Sequence, residues 1–402
     1  MAALRDNTDL RKTIIDIELK DNIDLRKTIG VGKPAADREP RLQVICDVDD
    51  TIKSSGGVTI AGVAIGGVDT QYKRGTMYPG VFRFMCALAK CGVDKPLTGS
   101  AAASPTGHPL RVAVLTARAE EFKWALQLKP TDPVCQGFSN EGKAEGYADW
   151  GIGQVMYGSV REWVLQDLKG WRKFENFKLL RKTYAERGVS EPEGYVFVGD
   201  TGELDRECGM RMLTDTDSSK RVRAVFLHVV SSGPDPTVPS DSYINGKPVV
   251  YFRTYVGAAL KACQHGLMDA GECREVILKA CDDLREQHHR ALGGGSDREQ
   301  KHSNGGHSRE GSTAAAAAAV AATSAGSKGS GSSGSGGRFV DATFPSKWTD
   351  LQRDIEAAMK AFPGELGDID PALLQPQRFP TPPLPRRNKP ADSNSNRERP
   401  RE

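Results

Sequence analysis

Four short apolar runs recur along the chain from residue 41 onward, and each is followed by a stretch whose apolar residues have helical spacing. Uninterrupted apolar runs of this length are typical of strands that are buried on both faces of a parallel sheet. The runs are LQVICDVDD at 42–50, RVAVLT at 111–116, YVFVGD at 195–200 and VRAVFLHVV at 222–230. The predicted helices are Gly80–Cys91, Ala119–Leu128, Asn176–Arg187 and Asp205–Met212. This alternation predicts an α/β fold with a doubly wound parallel sheet.

The chain after the fourth run predicts a hairpin and two helices. Tyr243–Phe252 is interrupted by Asn245-Gly246, a pair that favours the tight turn of a β-hairpin. Two helical stretches follow, and Gly266 between them is a typical helix stop. We therefore expect the folded domain to end near residue 290.

Composition divides the chain into five parts. Residues 1–40 form a leader in which DNTDLRKTI at 6–14 returns 15 residues later as DNIDLRKTI, and 41–290 form the folded domain. Residues 291–338 are rich in Gly, Ser and Ala, which is typical of a disordered linker. In 339–370 one amphipathic helix places Trp348, Leu351, Ile355 and Met359 on one face, either to dock on the domain or to bind a partner. The proline-rich basic tail, 371–402, is predicted to be disordered.

Charge and cysteine usage narrow the classes of function. The formal net charge is only +3, which argues against nucleic acid as the main partner. No apolar run approaches the ~20 residues of a membrane-spanning helix, and the first residues lack the apolar core of a secretory signal. The eight cysteines show no zinc-binding spacing, so we expect reduced, mostly buried thiols. These features favour a cytoplasmic protein.

Polar groups end three of the four apolar runs. They are Asp47, Asp49 and Asp50 after the first run, Thr116 at the end of the second, and Asp200 at the end of the third. In open α/β sheets, ligands bind beyond the carboxyl ends of the strands, where these groups are expected to converge. Clustered carboxylates need a compensating cation. Mg²⁺ fits a site of a few carboxylates that also binds phosphate.

The spacing of these groups resembles the haloacid dehalogenase superfamily of phosphohydrolases. The shared elements are DxDxT at Asp47–Thr51, a threonine at Thr116, a lysine, and GDxxxxD at Gly199–Asp205. The resemblance implies that Asp47 is the nucleophile, that Asp49 is the general acid and base, and that Thr116 holds the phosphoryl group. It also implies that Asp47, Asp200 and the Asp49 backbone carbonyl bind Mg²⁺, with Thr51 and Asp205 in supporting positions.

The lysine of this pattern has three candidates, Lys173, Lys178 and Lys182. All three are on or near the predicted helix that precedes the third apolar run. Its expected role is to neutralise charge on the nucleophile and on the phosphoryl oxygens. Lys178 opens the amphipathic part of the predicted helix, and a helix N-terminus favours a phosphate. We therefore assign the role to Lys178.

The flanks of the motifs resemble a narrower family, the phosphatidate phosphatases associated with actin patches in fungi. The similar segments are CDVDDTIKSSGG at 46–57, GVDTQYKRGTMYPGVFRFMCAL at 67–88 and YVFVGDTGELDRE at 195–207. The resemblance implies hydrolysis of phosphatidate to diacylglycerol and phosphate. A phosphoprotein or sugar-phosphate phosphatase on the same fold remains an alternative, as does a non-catalytic scaffold that binds partners through its tails.

The regions around the predicted catalytic domain suggest how it meets its substrate. The inserts that carry cap domains in this superfamily are modest here, and the first contains a glycine-rich hairpin-like flap at Gly56–Gly67. A minimal cap leaves the site open to a large substrate, such as a phospholipid at a membrane surface that the enzyme contacts transiently. In the tail, Pro382–Arg387 reads PxxPxR, a pattern that proline-binding domains accept.

Overall fold

The computed structural model of the chain describes the predicted domain and the amphipathic helix that follows the linker. The described residues are 41–57, 59–60, 63–64, 67–93, 107–119, 128–158, 169–202, 204–231, 237–293 and 343–376. The leader with its 15-residue repeat, most of the linker, and the tail from residue 377 onward with Pro382–Arg387 lie outside them.

Strands and helices alternate along most of the described chain. The strands are β1 Leu42–Cys46, β2 Thr59–Ile60, β3 Val63–Ala64, β4 Val112–Ala119, β5 Ile152–Gly158, β6 Gly194–Asp200, β7 Val222–His228, β8 Ser242–Ile244 and β9 Lys247–Phe252. The helices are α1 Val81–Ala89, α2 Pro133–Ala144, α3 Lys169–Glu186, α4 Asp205–Thr214, α5 Tyr255–Gln264, α6 Ala270–Gly293 and α7 Phe344–Ala361. A short 3-10 helix follows at Pro371–Leu374.

Seven strands form one mostly parallel sheet in the order β5-β4-β1-β6-β7-β9-β8. Only β8 runs antiparallel to its neighbour, at one edge of the sheet. The chain winds from β1 towards β5 on one side and from β6 towards β9 on the other, which is the order of a Rossmann-like fold. The α/β fold with a doubly wound sheet is therefore confirmed. The strand order reverses between β1 and β6, so a crevice is expected at their carboxyl ends.

Helices cover both faces of the sheet. Alternate residues of β1 point to opposite faces, so Val44 and Cys46 join one core and Ile45 the other. The larger core lies under α1, α2, α5, α6 and α7, and the smaller one under α3 and α4. Because both faces are buried, the strands are apolar throughout, which explains the uninterrupted runs in the sequence.

Two turns follow their sequence signals. At the tip of the β8–β9 hairpin, Asn245 and Gly246 have φ of 51° and 72°, the left-handed conformation that this pair favours. Gly266, with φ of 68°, lies in the connection between α5 and α6. The glycine-rich flap contains the antiparallel pair β2–β3.

Two elements have no counterpart in the sequence interpretation. Helix α2 contains two glycines, and β5 is an edge strand with several half-exposed residues, so neither gives a clear apolar pattern. The helix predicted at Ala119–Leu128 lies mostly outside the described residues, and Ala119 itself ends β4.

Helix α7 docks on the domain through its apolar face. Trp348, Leu351 and Ile355 are buried in the larger core, against α5 and α6. Met359 was predicted on the same face, but 44% of it is exposed, so that assignment was wrong. Among the described residues, no helix combines the length and the apolar character that crossing a membrane requires.

Candidate metal centre and active site

The crevice at the reversal of strand order brings two acidic strand ends together. Asp47 follows β1 directly and Asp200 ends β6, and the two strands pair in parallel up to Cys46 and Val198. The Asp47 backbone N–H donates to the Val198 carbonyl at 3.1 Å, which continues the ladder to the first acid. The fold therefore places both carboxylates at the edge where doubly wound sheets bind ligands.

Three buried carboxylates form the centre of this site. The side chains of Asp47, Asp200 and Asp205 each offer an oxygen, and these oxygens all lie within 4.8 Å of one another. All three residues are at most 2% exposed. This triad could hold a metal ion, because closely spaced buried carboxylates favour a cation between them. Asp205, which sequence analysis gave a supporting position, is here the third carboxylate.

Hydrogen bonds hold two of these acids in place. Asp205 Oδ2 accepts the backbone N–H of Asp200 at 3.2 Å, and Asp200 Oδ1 accepts the N–H of Gly202 at 2.6 Å. Gly199 allows the close approach of Asp205, since a Cβ at that position would lie 2.5 Å from Asp205 Oδ2. The glycine of the GDxxxxD motif is thus required for packing around the triad.

Lys173 is the lysine that the structure brings to the acids. Its Nζ lies 3.2 Å from Asp47 Oδ1 and forms a short ion pair with Asp205 Oδ1. The side chain is only 3% exposed, so this charge is compensated inside the protein. The cation therefore bridges the proposed nucleophile and the third carboxylate.

The structure does not place Lys178, our sequence assignment, near the acids. Lys178 pairs with Glu175 on its own helix and has a side chain that is 43% exposed. Lys182 pairs with Glu186 and is 64% exposed. Helix α3 starts at Lys169, earlier than predicted, so Lys173 lies within it. Five residues correspond to a rotation of about 140° around a helix, which puts Lys178 on another face.

A sequence signal for Lys173 exists in the stripe of buried residues along α3. Lys173, Phe177 and Leu180 follow the i, i+4, i+7 spacing of one helix face, and all three are buried. A lysine in an apolar stripe needs a buried partner, and here the partners are acids of the crevice. At the start of α3, a Cβ on Gly170 would lie 2.7 Å from the Leu204 carbonyl, so this glycine permits close packing against α4.

The threonines and the second acid of the motif are also close to the strand ends. Thr116 lies in β4, two residues beyond Val114, which pairs with Cys46, and it is 2% exposed. Thr51 is fully buried, and its hydroxyl has no hydrogen-bond partner among the described residues. Asp49, two residues after Asp47, is half-buried.

Asp50 organises the loop beside the site, a role that sequence analysis missed. Its carboxylate accepts three backbone N–H groups, from Ser55 at 2.8 Å, Val68 at 2.6 Å and Asp69 at 3.1 Å. Burial raises the pKa of Asp50, and these hydrogen bonds partly oppose the shift. Its φ of 60° is rare for a residue other than glycine. The turn after the DxD pair is therefore strained and held by these bonds.

His228 supports the same turn from the core. Its Nδ1 lies 2.8 Å from the Asp50 carbonyl, and its Nε2 lies 3.2 Å from the Arg253 carbonyl. Burial lowers the pKa of His228 to about 4, so the ring is neutral near pH 7. A neutral ring carries one N–H, so it donates to one of these two carbonyls.

The two cysteines next to the acids remain protonated thiols. Burial raises the pKa of Cys46 well above its usual range, and the nearby charges of Asp47 and Asp205 raise it further. Burial and Asp205 have the same effect on the pKa of Cys208. All eight cysteines are free thiols, as expected, and the two beside the site are unsuited to act as nucleophiles.

Comparison of the chain with protein-family models, with curated proteins and with solved structures finds no match in any of the three.

Proposed function

We propose that this protein is a Mg²⁺-dependent phosphatase that uses Asp47 as its nucleophile. The observation that carries the proposal is the arrangement around Asp47: a buried lysine at 3.2 Å, the buried carboxylate of Asp200 at the end of the adjacent strand, and that of Asp205 at the start of α4. An acid, a cation and a candidate metal site in one crevice are the parts that phosphoryl transfer to a carboxylate requires. The resemblance to the haloacid dehalogenase superfamily supports the same reaction.

The residues present fit a magnesium ion. Asp47, Asp200 and Asp205 provide only hard oxygen donors, which Mg²⁺ prefers over nitrogen or sulfur. In the sequence pattern, Asp47, Asp200 and the Asp49 carbonyl are the expected ligands, and Asp205 remains paired with Lys173. When bound, the ion would offset the negative charge of the phosphoryl group.

The proposed reaction has two steps, and Asp49 transfers the proton in each of them. In the first, a carboxylate oxygen of Asp47 forms a bond to phosphorus, the bond to the ester oxygen breaks, and Asp49 gives that oxygen its proton. In the second, Asp49 accepts a proton from water, the water oxygen forms a bond to the phosphorus of the aspartyl-phosphate, and the bond between phosphorus and the Asp47 oxygen breaks. The products are an alcohol and inorganic phosphate, and Asp47 is restored.

Lys173 and Thr116 have positioning and electrostatic roles in this scheme. Lys173 holds Asp47 by an ion pair, which keeps the nucleophile ionised and oriented. Its charge is also available to the phosphoryl oxygens as negative charge develops on them. The Thr116 hydroxyl would donate a hydrogen bond to one of these oxygens.

We propose phosphatidate as the substrate, on the basis of the flanking sequences and of a small cap. The described part of the first insert contains the β2–β3 hairpin and a loop, which favours an open site with a minimal cap. An open site suits a headgroup presented at the surface of a membrane, met transiently by a cytoplasmic enzyme. A phosphoprotein or a sugar phosphate would require the same chemistry, because these substrates differ from phosphatidate only outside the phosphoryl group.

A panel of substrates tests the proposal. Phosphate release is measured with Mg²⁺ on phosphatidate vesicles, a phosphoprotein and soluble sugar phosphates, with Asp47→Asn as the catalytic control. We expect release from phosphatidate and its loss in Asp47→Asn, because the amide cannot act as the nucleophile. Release from another substrate alone would support the alternative substrate class. If no substrate is hydrolysed, or if Asp47→Asn is fully active, the phosphatase proposal is wrong and the scaffold alternative is favoured.

A further inference from the structure

A second cavity lies at the opposite edge of the sheet from the acids. It has a volume of about 400 Å³, within the range of small-ligand pockets. Its walls come from the amino ends of β1, β6 and β9, the second residue of β7, and the loop after α5. Five residues of β1 separate this edge from Asp47, or about 16 Å at the usual rise of a strand. A ligand here would therefore not touch the catalytic residues.

The cavity carries an excess of positive charge. Among the described residues that line it, three are Arg or Lys, namely Arg41, Arg223 and Lys247, and one is an acid, Glu193. Within the part of the chain that the structure describes, no carboxylate forms an ion pair with Arg223 or Lys247. Arg181 on α3, by contrast, pairs with Glu191 at 2.6 Å. The cavity is thus suited to a ligand with at least two negative charges.

The position of Arg223 in this cavity depends on a glycine. A Cβ on Gly194 would lie 2.8 Å from Arg223 Cγ and 2.9 Å from its Nε, so the arginine crosses the strand where there is no side chain. The charge of Arg223 also lowers the pKa of Cys91, which burial otherwise raises. Arg223 and Cys91, which lies in the loop after α1, thus line the same cavity. Arg223 is an exposed residue, and its packing across Gly194 sets the direction of its side chain.

An aromatic side chain stands at the edge of the same cavity. Tyr243 is 65% exposed, a high value for a large apolar ring, and it meets His265 edge to face at a centroid distance of 6.1 Å. The Asn245 side chain donates to the Leu213 carbonyl at 2.9 Å and fixes the hairpin that carries Tyr243. An exposed and fixed ring offers its face for stacking on a planar group.

We propose that this cavity binds a nucleotide, with phosphates at Arg223 and Lys247 and a base stacked on Tyr243. The charge excess selects the phosphates, the volume limits the ligand to the size of a nucleotide, and the exposed ring adds a preference for a planar group. The site is independent of the proposed phosphatase activity, since its residues lie at the amino ends of the strands.

Calorimetric titration of the full chain tests this proposal. The probes are ADP, pyrophosphate and adenosine. EDTA is present, so that metal-dependent binding at the three carboxylates of the candidate metal site does not contribute. We expect ADP to bind more tightly than pyrophosphate, and adenosine more weakly than both. The variants are Arg223→Gln, Lys247→Gln and Tyr243→Ala, with Asp47→Asn as the control for binding at the other edge of the sheet.

Each variant has a distinct expected result. Arg223→Gln and Lys247→Gln should each weaken the binding of ADP and of pyrophosphate about tenfold, which corresponds to the loss of one charge-assisted hydrogen bond. Tyr243→Ala should weaken the binding of ADP and leave that of pyrophosphate unchanged. Asp47→Asn should change neither affinity. Since Arg223, Lys247 and Tyr243 are surface residues, circular dichroism should show that their variants are folded. Absence of ADP binding by the wild-type chain, or ADP binding that survives both charge variants, would overturn the proposal; ADP affinity unchanged in Tyr243→Ala would exclude the stacked base.

Discussion

Replacing Lys173 by methionine removes one buried charge and nearly preserves the shape of the side chain. At 3.2 Å from Asp47 Oδ1, the attraction between the two charges is about 5 kcal/mol for an effective dielectric constant of 20. Much of this is offset by the cost of burying the lysine. Removing one partner of a buried ion pair still costs about 3–5 kcal/mol, because the acids stay behind uncompensated. We expect Lys173→Met to lower the free energy of unfolding by that amount.

The matched control is Lys178→Met on the same helix. Lys178 is 43% exposed and pairs with Glu175 three residues before it, an interaction worth about 0.3–0.5 kcal/mol. Urea unfolding should therefore separate the two variants clearly. Phosphate release should fall about 10²–10³-fold in Lys173→Met, the usual effect of removing one group that stabilises the transition state. In Lys178→Met it should be unchanged.

Magnesium provides a second readout that does not depend on activity. Without Lys173, the three carboxylates lose a compensating cation, so Mg²⁺ should raise the melting temperature more in Lys173→Met than in the wild type. Three results would refute the reasoning: wild-type stability of Lys173→Met in EDTA, an equal effect of Mg²⁺ on both proteins, or a loss of activity confined to Lys178→Met.

Three further substitutions test other parts of the structure. Gly199→Ala should lower the free energy of unfolding by about 1–3 kcal/mol and reduce stabilisation by Mg²⁺, because its Cβ would lie 2.5 Å from Asp205 Oδ2. An undiminished rise of the melting temperature with Mg²⁺ would contradict this. Asp50→Asn turns an NH₂ group towards a backbone N–H, so it should lower the free energy of unfolding in urea by about 1–3 kcal/mol. An unchanged free energy would argue against the role of Asp50 in holding the loop. Burial raises the pKa of Asp354, so the folded chain keeps this proton to higher pH than the unfolded chain and loses stability as pH rises. The stability of Asp354→Asn relative to the wild type should therefore increase between about pH 4 and pH 7, and a constant difference in urea unfolding would contradict this.

The sequence predicted the central strands and the position of the acids because one physical condition governs both. A strand buried on both faces must be apolar along its whole length, so its end is marked where acids begin, as at Asp47 and Asp200. The carboxyl ends of parallel strands share one edge, so the acids meet there whatever the details of the loops. The edge strand β5 is half-exposed and lacks this condition, and it escaped prediction.

The choice of lysine failed because it depended on where a helix begins. The polar start of α3, KGWRKFENF, has little apolar periodicity, so the helix was predicted from Asn176 instead of Lys169. With the later start, Lys178 lies at the N-terminus of the helix. With the observed start, Lys173 lies on the buried face, and its charge is explained by Asp47 after β1 and Asp205 at the start of α4.

The loop from Gly67 to Tyr78 shows why local patterns could not predict the whole site. On one side Asp50 binds the backbone of Val68 and Asp69, and Tyr78 donates to the Asp69 carboxylate at 2.8 Å. On the other side α7 reaches the same loop from far along the chain. The Thr343 hydroxyl donates to the Gln71 carbonyl at 3.1 Å, and the Lys347 ammonium lies 4.2 Å from the centre of the Tyr72 ring.

These contacts join the two parts of the chain that composition alone had separated. A linker of low complexity stands between α6 and α7, and from sequence it left open whether the last helix docks or binds a partner. Docking is explained by the apolar face together with buried polar contacts, such as Arg253 with Asp350 at 3.3 Å and Thr254 with Asp354 at 2.7 Å. Since the Arg253 carbonyl also faces His228, and His228 faces Asp50, the docked helix and the turn after Asp47 share one continuous set of contacts. The position of the loop beside the acids is therefore a property of the whole domain, including a helix that follows the linker.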